Sequence, residues 1–570
     1  MKRDLARLSG NVYDVVIIGG GIYGLCVAWD AILRGLSVAL VEKGDFGHAT
    51  SSNTLRIIHG GLRYLQHGDV RRLRQSILER TVFMRIAPHL VHPLPFLIPT
   101  YGHWMRSKEV LSLALVINDL IGLDRNCLQD PQKHLPRGRV VSREECLRLF
   151  PGVDERGLTG GAIVYDCQMF SSERLVLSFA RSATQAGAEM ANYVEAVGFI
   201  RNGDRVAGIK ARDVLTGGKL DIQSRIVVNT SGPWLDRVLS LLNGYRSHRK
   251  LVLSKAFNIL VTRQLVPQYA VGVYSKGHFK DREAILSKRS HLLFITPWHD
   301  CSLIGTVHLP YDADPDRLGV SEDEIQAFLD EVNEAYPGAK LKHCDVSFSY
   351  GGLLPIFRND GSADGGRLVR RYRIRDHQKE EGVDGLVSVI GVKFTEARHV
   401  AEKVVDLVFR KLGKRPPKST TAFTPLYGAQ IEQFNTFLAQ QLQRSPEGLS
   451  TDTIRHLVHR YGSSYPELLK YFADVFSSPD TIGVRSCSEY PSSSCGDVLA
   501  KAEVLHGIRE EMAQKDSDVV FRGAGLGTAG NPGHACLETC AAIMARELGW
   551  DEVRTQRELK EVKAVFSTRI

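Results

Sequence analysis

Gly19, Gly21 and Gly24 stand in the spacing G-x-G-x-x-G within Gly19-Gly20-Gly21-Ile22-Tyr23-Gly24, and Glu42 follows 18 residues after Gly24. Each position has a task around a pyrophosphate. Gly19 permits a tight turn, Gly21 lets the backbone approach the anion, and Gly24 lets a helix pack closely on a strand. The helix opening at Ile22 aims its N-terminus at the phosphates. A carboxylate at 42 suits a ribose hydroxyl and disfavours a 2′-phosphate. Alone the glycine spacing is weak; its setting makes it specific. Asp14-Val-Val-Ile-Ile18 is a β-branched run of the kind buried in parallel sheets, a helical pattern runs from Gly24 to about Arg34, and Ser37–Val41 is a second buried strand. Strand, turn, helix and strand within about 30 residues make a βαβ unit that binds a dinucleotide. FAD and NAD both satisfy this much.

Two later glycine sites choose FAD. Asn229-Thr230-Ser231-Gly232 closes a small antiparallel meander of strands at 194–200, 206–212 and 226–229, turned at Asn202-Gly203-Asp204 and Thr216-Gly217-Gly218. Gly391-Val392-Lys393 ends a strand at 386–390 and opens a helix from about Thr395 to Lys411, which sets a second helix N-terminus against a flavin. A sequential NAD domain would not need this late return. Lys393 sits where the helix dipole disfavours a cation, so a functional placement explains it better than a structural one.

The elements holding these residues read as an α/β fold with a discontinuous FAD-binding domain (10–75, 150–235 and 350–412) and a mixed α+β substrate domain (76–149 and 236–349). Lys414-Arg415-Pro416-Pro417-Lys418 reads as a linker, because two prolines in a polar stretch cannot continue a helix, and 419–570 reads as an all-helical domain. The chain of 570 residues is 43% hydrophobic and 24% charged, which excludes collagen-like, disordered and disulfide-scaffold classes. Its net charge of +9 invites an anionic partner. Nucleic acid is not expected, since no basic stripe interleaves with aromatics. The ten cysteines include no CxxC pair; Cys536 and Cys540, near His534, read as buried helix thiols, and no metal is expected. Reduced thiols and the lack of a long apolar stretch near Met1 point to the cytoplasm. The longest apolar run, Val110 to Leu123, is broken by Asn118 and Asp119 and reads as a buried helix too short to span a bilayer.

Further stretches carry a resemblance. Arg34-Gly-Leu-Ser-Val-Ala-Leu-Val-Glu-Lys-Gly-Asp-Phe46, Ala49-Thr-Ser-Ser52 and His59-Gly-Gly-Leu-Arg-Tyr-Leu65 resemble FAD-dependent glycerol-3-phosphate dehydrogenases, with HGGLRYL the most specific part. Tyr165-Asp166, Asn229-Thr-Ser-Gly-Pro-Trp234, Pro297-Trp298, Ile304-Gly-Thr306 and Ala545-Arg-Glu-Leu-Gly-Trp-Asp-Glu552 follow in matching order, so the resemblance covers nearly the whole chain. It implies a glutathione-reductase-like FAD domain under a substrate domain. It also implies oxidation of the C2 alcohol of glycerol 3-phosphate, or a related polyol phosphate, with electrons leaving to a quinone or other acceptor.

Carried over by position, Gly19, Gly21, Ile22, Gly24, Glu42, Lys43, Thr50, Ser51, Ser52, His59, Gly60, Gly232, Gly391, Val392, Lys393, Phe394 and Thr395 would contact FAD. Arg63, Tyr64, Arg370 and Lys393 would face the substrate, joined by His308, with His59, Lys393 and Arg63 catalytic. Peripheral contact with the inner face of the cytoplasmic membrane and a homodimer stay open. The departures matter. Gly352-Leu353-Leu354-Pro355 stands where the family has Gly-Val-Arg-Pro, and Val307-His308 follows Thr306 where a carboxylate is frequent. Leu354 in place of an arginine leaves open a non-phosphorylated hydroxy or amine substrate, or a non-catalytic flavoprotein.

Overall fold

Strand Val12–Ile18 runs through the middle of an eight-stranded sheet in the computed structural model, which describes residues 1–102, 108–242, 251–275, 291–357, 367–368, 371–391, 393–446, 449–476 and 494–567. Val38–Val41 pairs with it in parallel on one side and Lys219–Asn229 in parallel on the other. Val15, Val16, Ile17 and Ile18 are all buried, because both faces of the sheet are covered: Val15 and Ile17 pack in the helix layer, and Val16 and Ile18 against the antiparallel strands at 194–222, so an unbroken apolar run is stable there. Leu386–Ile390 and Glu189–Ala191 extend the sheet on either side. The order of strands therefore reverses beside Val12–Ile18, and the crevice at such a reversal, outside the carboxyl ends of the strands, is where α/β sheets take nucleotides.

The meander is present as Val194–Asn202, Arg205–Asp213 and Lys219–Asn229, paired antiparallel. Its third strand starts at Lys219, earlier than the expected 226. The first half alternates buried and exposed residues, and only from Ile226 does it enter the covered parallel sheet and turn continuously apolar.

The second sheet has ten strands. Leu158–Met169 and Val346–Phe357 belong to it, although the sequence reading put most of both in the FAD-binding part. Val346–Tyr350 alternates apolar residues with serine, the pattern of a strand, whereas Leu158–Met169 shows neither a continuous apolar run nor a clean alternation. Leu158–Met169 pairs along Val91–Tyr101, and Val346–Phe357 pairs along Val252–Val261. Both bring groups from the second sheet against the crevice loops of the first, Asp166 at His59 and the Leu353 backbone at Thr50.

Helix Lys108–Ile121 departs from expectation. The sequence reading has Val110–Leu123 buried, yet Leu113, Val116, Ile117 and Leu120 form an exposed stripe at helical spacing, with Leu113 and Leu120 each 61% exposed. Among the described residues no helix is long and apolar enough to cross a membrane.

Beyond the proline segment the described residues form helices only, among them Thr451–Tyr461, Ser494–Glu511 and His534–Leu548. The segment itself is tied down, for Arg34 donates to the Pro417 carbonyl at 2.5 Å and pairs with Asp406 at 2.6 Å. Buried ion pairs dock the helices on the rest of the chain: Arg174 with Glu511 at 2.8 Å, and Arg522 with Asp45.

Histidines fill another part of this joint. His459 stacks on Phe170 (centroids 5.0 Å apart) and lies 5.2 Å from the His92 ring, while His92 Nδ1 is 3.2 Å from Lys133 Nζ. Burial, then the charges of Lys133 and Arg455, push the His459 imidazole down to about 4. As pH falls through the ordinary value near 6.5, the unfolded chain takes a proton that the folded chain refuses until about 4, so this group's contribution to stability is lost across that window. His459→Phe is expected to leave stability at pH 7.5 little changed and to gain about 2 kcal/mol over the wild type at pH 5, read by urea unfolding at the two pH values. Equal effects at both would remove the histidine from the acid response.

Candidate active site

The crevice is shaped first by what cannot fit there. A Cβ on Gly24 would lie 1.9 Å from the Gly19 carbonyl oxygen and 2.6 Å from Thr230 Oγ1. Gly19 itself has φ +105°, and its Cβ would meet the Thr230 carbonyl oxygen at 2.8 Å. Thr230 comes from the second glycine site, and its hydroxyl donates to the carbonyls of Ile18 (2.9 Å) and Gly19 (3.0 Å), so the two sites interlock. Gly232, at φ +56°, opens the turn Gly232–Trp234 beside them. Ser51 Oγ accepts from the Ile22 N–H at 3.0 Å and keeps its own proton to donate to an anion at the helix start. The buried Glu42 carboxylate accepts from the Gly20 N–H at 2.6 Å and the Gly44 N–H at 2.8 Å, leaving lone pairs for a ribose hydroxyl.

A second group of residues closes the crevice from far along the chain. Gly391 ends strand Leu386–Ile390 and lies against Tyr23, whose ring carbons a Cβ there would approach to 2.3 Å. The Tyr23 hydroxyl donates to the Lys393 carbonyl at 2.8 Å and accepts from the Lys393 N–H at 3.2 Å. Lys393 caps the turn Phe394–Glu396 that leads into helix Ala397–Lys411; Phe394 packs 6.1 Å from Phe83, and Thr395 is buried. Leu353 reaches in from the second sheet, its carbonyl accepting from Thr50 Oγ1 at 3.1 Å and its N–H donating to the same hydroxyl at 3.2 Å. Ser52 turns inward to the Gly47 carbonyl at 2.8 Å and shapes the loop instead of lining it. Lys43 is held by Asp316, over the Trp234 ring at 4.0 Å.

A third group of residues gathers on the stretch after Ile57–Ile58, the turn Leu62–His67 and helix Val70–Ile86. His59 Nδ1 lies 3.2 Å from Asp166 Oδ2, with its ring 5.6 Å from Phe294. Asp166 Oδ1 accepts from the Gly60 N–H and from Arg80 Nη1, each at 2.6 Å. Burial alone would push the Asp166 carboxyl up, but the His59 hydrogen bond, the Arg80 charge and the Gly60 N–H outweigh it and hold the group ionised below its usual range. Tyr64 is buried, with Lys393 Nζ 4.1 Å and Arg72 Cζ 4.4 Å from its ring centre. Arg72 also pairs with Glu396 at 3.1 Å, which ties this patch to the Lys393 turn.

His308 is half-buried on Cys301–Tyr311 opposite Ala256, and Leu354 is half-buried opposite Ser254. Arg370 and Val392 lie outside the described residues, as does the side chain of Arg63, whose backbone is in Leu62–His67. Tyr23, Arg72, Arg80 and Asp166 escaped the sequence reading as site residues. Tyr23 stands inside the glycine motif and Asp166 inside the matching stretch Tyr165-Asp166; nothing in the sequence marks Arg72 or Arg80.

The cradle fits FAD: clearance at Gly19 and Gly24, a proton-bearing hydroxyl at the helix start, an acceptor at Glu42, and a second turn at 391–395 meeting the first through Tyr23. Comparison with known families agrees. The profile of the FAD-dependent oxidoreductases matches residues 14–406, and that of the C-terminal domain of alpha-glycerophosphate oxidase matches 419–555. A glycerol-3-phosphate dehydrogenase of Synechocystis sp. is 33% identical across 98% of this chain and 97% of its own.

The chain belongs to the glycerol-3-phosphate dehydrogenase family of FAD-dependent oxidoreductases.

A second member of that family, from Mycobacterium leprae, is 30% identical over 99% of this chain and 89% of its own. The fold recurs in the crystal structure of the Bacillus halodurans glycerol-3-phosphate dehydrogenase complexed with FAD, at a TM-score of 0.77 and 24% identity, over 99% of this chain and 96% of that one. Glycine oxidase from Geobacillus kaustophilus shares the fold over 72% of this chain at a TM-score of 0.50.

Proposed function

We propose that this enzyme oxidises the C2 alcohol of sn-glycerol 3-phosphate, or a close polyol phosphate, to the ketone and passes the electrons to a quinone. The observation that carries the reading is one short segment, 59–64, which holds His59 against its carboxylate and presents Tyr64 to the Lys393 and Arg72 cations. When bound, FAD supplies the acceptor for the hydride leaving C2. His59 takes the hydroxyl proton, Lys393 faces the reacting end with its charge, and Arg63 and Arg370 are assigned to the phosphate by resemblance.

Leu354 weakens the phosphate end. A missing charged hydrogen bond costs about 1.5–3 kcal/mol, roughly tenfold or more in affinity. The test is anaerobic bleaching of the yellow protein against phosphorylated and free polyols. Glycerol 3-phosphate is expected to bleach it fastest, and Leu354→Arg to lower KM for that substrate about tenfold with kcat little changed. Leu354 alone favours a second reading, a non-phosphorylated hydroxy or amine substrate. Faster bleaching by free glycerol or an amine, or glycerol 3-phosphate turnover that appears only in Leu354→Arg, would establish it in place of the first.

The exposed stripe of helix Lys108–Ile121 supports the quinone assignment, because it offers an apolar face to a lipid surface beside the turn that carries Tyr64. Arg74 and Arg139 beside this helix are already paired, with Asp124 and with Glu145 at 2.7 Å, so the apolar stripe itself carries the contact.

A further inference from the structure

We infer that Asp166, itself held by Arg80, is a positioning residue that sets which nitrogen of His59 receives the substrate proton. This rests on the reading of His59 as the proton acceptor. His59 and Asp166 lie 107 residues apart and meet only because Ile57–Ile58 pairs with Gln168 and Cys167 on Leu158–Met169.

An ionised carboxylate can only accept, so the His59 Nδ1 facing it at 3.2 Å carries the proton of that hydrogen bond. Nε2 is left with the lone pair, on the ring edge away from Asp166. The carboxylate cannot turn away. Its second oxygen is fixed by the Gly60 N–H and Arg80 Nη1, and the same Nη1 donates to the Tyr165 carbonyl at 2.6 Å. Gly60 has no room for a side chain, since a Cβ would sit 2.1 Å from Arg80 Nη1, so the backbone after His59 is pressed onto the ion pair. Phe294 and Phe96, with centroids 5.6 and 6.3 Å from the His59 ring, limit its tilt.

Arg80 has a second effect. It is 3% exposed and shares the Asp166 charge, so His59 gains an acceptor for Nδ1–H without the pull of an uncompensated anion. During turnover the C2 hydroxyl proton moves to Nε2 as the hydride leaves C2. The resulting imidazolium faces a nearly neutral pair and releases the proton to solvent through its exposed edge. The charged groups facing His59 are thus Asp166 directly and Arg80 behind it.

The test compares wild type with His59→Gln, Asp166→Asn, their double variant and Arg80→Gln, all carrying FAD, in single-turnover bleaching by glycerol 3-phosphate. His59→Gln and Asp166→Asn are each expected to slow bleaching by about a hundredfold or more. The double variant should be no slower than His59→Gln, because Asp166 acts through the imidazole. Multiplied losses in the double variant would overturn the proposal.

The companion readout needs no turnover: carbethoxylation of His59 by diethyl pyrocarbonate, followed against pH by mass spectrometry. Its midpoint should move up in Arg80→Gln and down in Asp166→Asn, each by about one pH unit. A packing role moves neither in this signed way, and coincident midpoints refute the proposal. If Asp166→Asn does not retain FAD, Arg80→Gln decides alone by the same midpoint. A wild-type flavin that glycerol 3-phosphate leaves unbleached defeats the functional reading, while the signed midpoints still decide the Asp166–His59 pair.

Discussion

Gly24→Ala is expected to purify colourless. The added carbon would sit 1.9 Å from the Gly19 carbonyl oxygen and 2.6 Å from Thr230 Oγ1, and both obstacles are fixed. The first is backbone at the turn after Val12–Ile18, and the second donates to two carbonyls of that turn. Relief requires helix Ile22–Leu33 to shift by more than an ångström, which pulls the Ile22 N–H from Ser51 and the helix start from the phosphates. Overpacking of this kind costs typically 1–3 kcal/mol, and the lost alignment adds to it. Flavin content, read as absorbance near 450 nm per chain, should fall to about a tenth or less, since 1.4 kcal/mol is already tenfold. Gly10→Ala, where nothing lies within 4 Å, is the control and should stay yellow. Wild-type flavin content in Gly24→Ala would mean that the helix start does not hold the cofactor.

Leu113→Glu with Leu120→Glu is expected to release the protein from lipid vesicles. Both leucines are 61% exposed on the outer face of helix Lys108–Ile121, so the change adds charge without opening a core. Burying a leucine is worth about 1.5–3 kcal/mol, so losing two lowers partitioning by roughly a hundredfold or more. Co-sedimentation with vesicles of phosphatidylglycerol and phosphatidylcholine reads this directly, and binding carried by the leucines should change little with added salt. Bleaching by substrate should be unchanged, since neither residue belongs to the site, whereas reduction of a vesicle-borne quinone should fall with the binding. Wild-type protein that ignores vesicles, or a variant that binds them equally well, removes the membrane from the account.

What the sequence disclosed depended on whether cause and effect lay close together. The glycines at 19, 21 and 24, the carboxylate at 42 and the strands flanking them obey local rules, so the nucleotide cradle was legible. The late segment at 391–395 was legible for the same reason, as a glycine between a strand and a helix. Asp166 has no legible role in the sequence, because nothing near it says that it will face His59 until Ile57–Ile58 and Leu158–Met169 pair. Arg72 and Arg80 are two of five arginines on helix Val70–Ile86, and nothing near them in sequence sets them apart. Their burial follows from Tyr64 and Asp166 packing over that helix. Helix Lys108–Ile121 misled in the other direction. An apolar run reads as buried by default, and the exposure of Leu113 and Leu120 shows otherwise. Leu158–Met169 failed for a third reason. It is half-buried on an irregular schedule, so neither helical nor strand periodicity marked its sheet.

Tyr23 and Lys393 touch across 370 residues of chain, which has a bearing on how the protein is made. At 5–20 residues per second, the ribosome needs roughly 20 to 70 seconds between delivering the first and the second. Throughout that interval the nascent chain presents the glycine loop at 19–24 without the partner that closes its crevice. Capture of the vitamin-derived cofactor is therefore a late event in biogenesis, and a cell short of riboflavin would accumulate this enzyme as a nearly finished chain waiting on its last component.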